Sequence, residues 1–357
     1  MTIVNPTNVT AGAPGWAAGS SDEGRPGWPS DDAVRLHRTM FGYVSSSAIF
    51  SALELGLFDA LEEQPGVAED LGRRLDLPDR SARLILLALL GEGLVERVDD
   101  AYRNAPVASR YLVSASPDYV GALAAHQAAH FERFSKLTQA LRDNAPVRAP
   151  GAGDHPQFGG PERFARITRT AALMMMVDGM VEQTSLAGNR HLVDLGCGSC
   201  VYSIALARRN PHLRITAIDR PSVCDLARTS VAEAGLSDRI TIRPGDIFED
   251  TVPDADVAML SNVAEGFDSA RAARLVKHVH GWLPAGGELV IHSHMWEHAD
   301  ATPFSYTVGL ILAVNNPMGG EPYGEGVTRG WLADAGFGEI KPAVAVSPIS
   351  AVVRAVK

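Results

Sequence analysis

A chain of 357 residues with a formal charge of −10 has room for two domains and carries no broad positive field for nucleic acid or an anionic membrane. Three cysteines in that length exclude a disulfide framework. No run reaches the ~20 apolar residues of a membrane span, and the first residues lack the basic and apolar stretches of a signal peptide, so a cytosolic protein is expected.

Residues 1–30, rich in Gly, Pro and Ser, read as a disordered tail. From Asp31 apolar residues recur at helical spacing through 63, with Ser30 or Asp31 as N-cap. Residues 67–112 then read as helix, turn, helix and two short strands. Val67, Leu71 and Leu75 mark the first helix, Leu77-Pro78-Asp79 the break, 81–90 the second helix, and Leu94-Val95 and Tyr102 the strands. That is a winged helix. Such a unit opens the reading of a transcription regulator with a ligand-sensing domain. The second helix (RSARLILLALL) is apolar on most faces, as in a buried or dimer-forming helix, and the acidic balance also argues against DNA.

Helices are expected over 118–143 and 161–187, separated by a Gly/Pro-rich loop that places a domain boundary near 150. After 190 strands and helices alternate: strands at 191–196, 214–219, 240–246, 256–263, 287–295, 339–346 and 349–356, with helices at 201–209, 222–235, 269–283 and 328–336. This is the grammar of an α/β, doubly wound sheet, whose ligand lies beyond the carboxyl ends of the strands.

The stretch HLVDLGCGSC (191–200) admits two readings, a C-x-x-C device (Cys197, Cys200) and a nucleotide turn (Gly196, Gly198). The turn is favoured, because it lies where the first strand meets the first helix, where glycine lets a ligand approach the backbone. Asp219 ends the next strand, 25 residues after Asp194, where a carboxylate accepts both ribose hydroxyls. Asp246 ends the third strand. The third glycine of a pyrophosphate site is missing, and an acid opens the turn. Both features disfavour phosphate and suit a cationic, phosphate-free ligand such as S-adenosylmethionine.

The run VDLGCG, Asp219, GDIF, LSNVAEGF and LPAGGELVI resembles the class I S-adenosylmethionine-dependent methyltransferases. Residues 31–357 as a whole resemble the plant-type small-molecule O-methyltransferase family with its bacterial relatives in secondary metabolism. The resemblance implies a Rossmann-like catalytic domain over 151–357, preceded by a helical, winged-helix dimerisation domain over 31–150. It implies a homodimer, a small and typically aromatic natural-product acceptor, and S-adenosylmethionine as methyl donor. On that resemblance Asp194, Gly196, Gly198, Asp219, Arg220, Asp246, Ile247 and Ser261 form the cofactor site, with Asp219 on the ribose and Asp246 and Ile247 at the adenine.

One segment departs from the family. Where relatives read N-V-L-H-D-W and use the His as base, this chain has Asn262-Val263-Ala264-Glu265-Gly266-Phe267, and the carboxylate that orients that His falls on Ser293. Glu265 is therefore the leading candidate base, with burial expected to raise its pKa toward working pH. His294 is a second candidate catalytic residue. The acceptor atom, oxygen or carbon, is left open. HSHMWEH (292–298) places His292 and His294 on one strand face, which opens an alternative: a metal held by His294 and Glu265 for carbon methylation of an α-keto acid. No H-E-x-x-H or similar ligand spacing accompanies it, and no metal is assigned. His126 and His130, four apart on a helix, Met175 of the LMMMVDGM segment, His298, and Asn315 and Asn316 of the N-P-M-G-G loop are candidate substrate contacts.

Overall fold

The computed structural model describes residues 30–147, 167–168, 170, 176–184, 186, 188–295 and 303–357, the first three of the last stretch by backbone alone. Among these residues the chain divides into two compact units between Ala128 and Ala129, not at 150.

In the first unit, α1 (Asp31–Glu54) starts at Ser30, whose hydroxyl accepts from the Ala33 amide, satisfying one orphan donor of the first turn. Then follow α2 (Leu57–Glu63), α3 (Ala68–Arg74), α4 (Asp79–Gly91), the hairpin β1 (Val95–Val98) and β2 (Ala101–Asn104), and α5 (Pro106–Tyr111). Pro78 is the N-cap of α4, because its ring blocks helix continuation before it and suits the boundary. Leu57, Phe58, Leu61, Leu71, Leu86 and Leu89 are buried in one core cluster, each contributing about 2 kcal/mol of transfer free energy. The winged helix is thus formed. Its second helix buries Ala82, Leu86 and Leu89 but leaves Leu84 and Leu87 exposed, and α1 exposes Leu36, Met40, Phe41 and Tyr43.

The helix expected over 118–143 is two helices, α6 (Gly121–Phe134) and α7 (Leu137–Asp143). The unit boundary falls inside α6. Residues from 129 onward belong with the second unit because Arg133 donates to Asn315 at 2.7 Å and the Val147 amide to the Val314 carbonyl at 2.9 Å.

The second unit continues with α8 (Val177–Gln183), β3 (His191–Leu195), α9 (Val201–Arg209), β4 (Arg214–Asp219), α10 (Pro221–Glu233), β5 (Ile240–Pro244), β6 (Val257–Ser261), a 3₁₀ turn (Ala264–Gly266), α11 (Ser269–Trp282), β7 (Glu288–His294), α12 (Pro303–Asn315), α13 (Glu325–Ala335), β8 (Glu339–Ile340), β9 (Val344–Ser347) and β10 (Ser350–Val356). The sheet order is β5-β4-β3-β6-β7-β10-β8, with β9 beside β10. β5 through β7 are parallel and β10 runs antiparallel to β7. β6 is buried at every residue, as expected of a central parallel strand covered on both faces. The strand expected near 339–346 is split into β8 and β9, and α12 had no counterpart in the sequence reading. Strand order reverses between β3 and β6, which opens a crevice at their carboxyl ends.

Candidate active site

Two clusters of side chains lie at those carboxyl ends, one after β3–β5 and one after β6–β7. In the first, Gly196 (φ +79°) and Gly198 (φ +54°) turn the chain out of β3. A Cβ on Gly196 would stand 2.7 Å from Val263 Cγ2, so Val263 packs directly on the turn and leaves no room for a side chain at 196. Asp219 sits across this turn. Its Oδ2 accepts from the Gly198 amide and its Oδ1 from the Arg220 amide, each at 2.8 Å. The carboxylate is thereby fixed while keeping lone pairs for further donors.

Asp194 is buried, and its Oδ2 accepts from Ser203 of α9 at 2.6 Å. Burial pushes its pKa up to about 7, with the Ser203 bond opposing and the charge of Asp219 adding to the rise. It stands behind the turn as a partner of α9. Asp246 is exposed beyond β5, its Oδ1 accepting from the Phe248 amide at 2.9 Å, and Ile247 is half-buried beside it. Cys200 precedes α9 with φ +60°, the left-handed region that a third glycine would occupy without strain. Cys197, Cys200 and Cys224 are all buried free thiols. These residues fit an adenosyl ligand without phosphate: a glycine turn at the end of the first strand, a backed carboxylate at the end of the next and acid in place of a phosphate cradle.

In the second cluster Glu265, in the 3₁₀ turn, is 4% exposed. Its Oε2 accepts from the Ser293 hydroxyl at 2.9 Å and its Oε1 faces His294 Nδ1 at 3.0 Å. Burial pushes the carboxyl upward, but the hydrogen bond and charge of His294, followed by a backbone bond and Ser293, outweigh it and hold the pKa below its ordinary value. The expected rise is not there. The turn itself is held by three contacts: Asn316 Nδ2 donates to the Gly266 carbonyl at 2.9 Å, Tyr323 Oη to the Phe267 carbonyl at 2.7 Å, and Gly320 packs on the Glu265 carbonyl, where a Cβ would stand 2.0 Å away. Ser293, singled out in the sequence as the place of the orienting carboxylate, does meet Glu265. Gly320 is the neighbour that the sequence reading did not identify, and the paired glycines of N-P-M-G-G were the available signal.

His292 does not share the cleft with His294. It is fully buried, with Nδ1 2.7 Å from Ser261 Oγ, Nε2 3.2 Å from Ser350 Oγ and the Tyr202 ring edge-on at 5.1 Å. Burial drives its pKa down to about 3, with Glu265 opposing and His294 adding to the fall. Ser261 is therefore engaged with His292. Among the described residues no group of three His, Cys, Asp or Glu is placed to hold a metal, and Glu265 and His294 are bonded to each other.

The side chains of both asparagines are engaged within the chain. Asn315 accepts from Arg133 and donates to the Ile311 carbonyl, while Asn316 Oδ1 accepts from the Met318 amide. A cleft of about 660 Å³ is lined by Asn316 together with α7, α12 and residues 317–322; neither Glu265 nor His294 lines it. His126 and His130 are buried on α6, with the His130 ring 6.5 Å from that of Phe134. Met175 and His298 lie outside the described residues.

A doubly wound sheet with a glycine turn and a backed acid on the next strand defines the class of nucleoside-binding α/β proteins. Residues 162–337 match the O-methyltransferase domain and residues 37–114 the O-methyltransferase dimerisation domain. The chain is 30% identical over 314 residues to a 3-hydroxy-5-methyl-1-naphthoate 3-O-methyltransferase of Streptomyces sahachiroi, covering 86% of this chain and 90% of that protein. It is 29% identical over 324 residues to an L-tyrosine C(3)-methyltransferase of Streptomyces lavendulae, covering 86% and 87%. Human N-acetylserotonin methyltransferase in complex with its methyl donor shares the fold, with a TM-score of 0.79 at 20% identity over 93% of this chain and 99% of that one. The chain belongs to the O-methyltransferase family and is an S-adenosylmethionine-dependent methyltransferase. No single helix among the described residues is long and apolar enough to cross a membrane.

Proposed function

We propose that this protein methylates a small, aromatic natural-product intermediate in the cytosol, as a homodimer. The observation that carries the reading is the Asp219 carboxylate fixed across the Gly196–Gly198 turn by two backbone amides. It leaves an acceptor for paired ribose hydroxyls where the family places its adenosyl donor. Gly196 and Gly198 let the donor lie against the backbone, Asp246 and Ile247 flank its adenine, Arg220 follows the ribose acid, and Ser261 lines the far side through its tie to His292. When bound, the donor supplies a methyl group on a sulfonium sulfur, which a nucleophile displaces in line.

The small aromatic acceptor is supported by the named activities of the two Streptomyces relatives, a naphthoate 3-O-methyltransferase and a tyrosine C(3)-methyltransferase. Dimer formation is supported by the dimerisation domain and by the exposed apolar residues of α1 and α4 within it. A reducing compartment suits three buried free thiols. Isothermal titration with S-adenosylhomocysteine tests the reading: wild type binds one equivalent per chain, and Asp219→Ala binds at least ~10-fold more weakly, as expected when a charge-assisted hydrogen bond is lost. A wild-type chain that binds no S-adenosylhomocysteine overturns it.

A further inference from the structure

The acid–base pair at the ends of β6 and β7 carries an inference that rests on the methyltransferase reading and narrows its substrate. In the family pattern the base is a His on the loop after β6, and a carboxylate near the end of the next strand orients it. Here the loop position holds a carboxylate, the strand position of the orienting carboxylate holds Ser293, and an imidazole follows it at His294. The carboxylate, Glu265, stands on the loop after β6, and the imidazole, His294, ends β7. They still meet, Oε1 to Nδ1 at 3.0 Å.

Three observations assign the roles within the pair. Glu265 is 4% exposed, and both its oxygens are engaged, one by Ser293 and one by His294. A carboxylate so held is anchored in its ionised form and has no oxygen turned outward. His294 keeps 21% of its side-chain surface against 5% for Glu265. With Nδ1 committed to the carboxylate as donor, the second ring nitrogen, Nε2, carries the lone pair and has no hydrogen-bond partner among the described residues. Finally, Glu265 cannot drift from this pose, since Gly320, Asn316 and Tyr323 clamp the turn that carries it.

We infer that His294 is the general base, that Glu265 and Ser293 are positioning residues for it, and that the acceptor presents an aromatic hydroxyl whose oxygen receives the methyl group. In that step the hydroxyl proton passes to His294 Nε2. The oxygen electron pair forms the new O–CH₃ bond as the C–S bond of the donor breaks, and the C–S pair returns to sulfur as a neutral thioether. The imidazolium left on His294 faces the Glu265 carboxylate, which stabilises it. Atoms and charge balance: the positive charge of the sulfonium ends on the imidazolium and is then lost with a proton to solvent.

The test uses the full chain and a panel of phenols led by 3-hydroxy-1-naphthoate. It combines turnover with S-adenosylmethionine, NMR location of the new methyl, and titration of S-adenosylhomocysteine. His294→Gln is expected to lower kcat by at least ~100-fold, the range of general-base loss, with KM and S-adenosylhomocysteine affinity within about twofold. Glu265→Gln lowers kcat ~10- to 100-fold with S-adenosylhomocysteine affinity within about twofold, and Glu265→Asp, which keeps the carboxylate, restores part of the rate. A merely structural Glu265 would show no such rescue by aspartate, and its loss would weaken acceptor and donor binding together with kcat. Should His294→Gln fold poorly, the rescue of kcat by Glu265→Asp over Glu265→Gln remains as the reading.

The inference is overturned if His294→Gln keeps a third of the wild-type kcat, or if Glu265→Gln abolishes turnover while His294→Gln does not. It is equally overturned if the methyl lands on a ring carbon, or if no phenol is turned over by a chain that binds S-adenosylhomocysteine. Absence of S-adenosylhomocysteine binding is the separate failure of the methyltransferase reading.

Discussion

The two ends of one sheet solve the same problem, holding reactive groups at strand termini, by different means. At β3–β5 the site is made by backbone: positive φ at Gly196 and Gly198 and two amides on Asp219. At β6–β7 it is made by side chains, with Glu265 meeting Ser293 and His294 from residues 28 and 29 positions away. A backbone site tolerates almost no change of residue type, because a turn with φ > 0 excludes most side chains. A side-chain pair needs only that donor and acceptor meet, so residue types can change on either strand while a contact is kept. The donor half therefore follows its family closely, and the acceptor half does not.

Substituting one glycine in each half should separate them. Gly320→Ala puts a Cβ 2.0 Å from the Glu265 carbonyl and 2.5 Å from the Gly266 carbonyl carbon, which are backbone atoms with no soft escape, so the 3₁₀ turn must shift. Turnover of the methyl acceptor should fall by roughly 10- to 100-fold, the range expected when the carboxylate that positions the base is displaced, while S-adenosylhomocysteine affinity stays within about threefold. Gly196→Ala should do the reverse in calorimetry, weakening that affinity about 100-fold. The added Cβ meets Val263 at 2.7 Å, and a left-handed φ costs an L-residue ~1–2 kcal/mol. If Gly320→Ala weakened S-adenosylhomocysteine as much as it slowed turnover, the two halves would be one coupled site.

This division also explains what could be read from the residues alone. The order of strands, the glycine turn and Asp219 were legible because each is a local signal: an apolar run, a break, an acid at its end. So were the winged helix and its apolar second helix. That Glu265 and His294 share one site was legible, as the metal alternative shows, but not their direct hydrogen bond, since it depends on how the turn after β6 is clamped by residues 316–323. The expected rise in the Glu265 pKa failed for the same reason: sequence shows burial but not the Ser293 and His294 donors that reverse its effect. The two histidines of β7 also part company, because Ser261 and Ser350 claim His292.

The buried groups behind the two halves should show opposite pH dependences of stability. His292 titrates near 6.5 when unfolded and at about 3 when folded. The unfolded chain takes up its proton first, so the stability it contributes is complete above pH 6.5 and is lost as pH falls toward 3. Asp194 titrates near 3.8 unfolded and at about 7 folded. The folded chain holds its proton longer, so its contribution is complete below pH 3.8 and is lost as pH rises toward 7. Between 3.8 and 6.5 the two slopes oppose, each approaching ~1.4 kcal/mol per pH unit. Denaturant unfolding of His292→Asn across that window should therefore lose stability with rising pH more steeply than wild type, and Asp194→Asn should gain it more steeply. Parallel curves for the two variants would mean that one of these groups is not buried as described.

The smallest effect distinguishes what holds the Glu265 turn in place. Asp268 caps α11, its Oδ1 accepting from the Arg271 amide at 3.0 Å, only three residues beyond Glu265. Asp268→Ala should cost about 1 kcal/mol in unfolding free energy, the usual worth of such a cap. If the turn is fixed by Asn316, Gly320 and Tyr323 as the contacts indicate, kcat should stay within about twofold, because fraying the first turn of α11 leaves those three clamps intact. A tenfold fall in kcat would shift the anchor to the start of α11 and make the helix, not the 316–323 loop, the part of the fold that sets the geometry of the base.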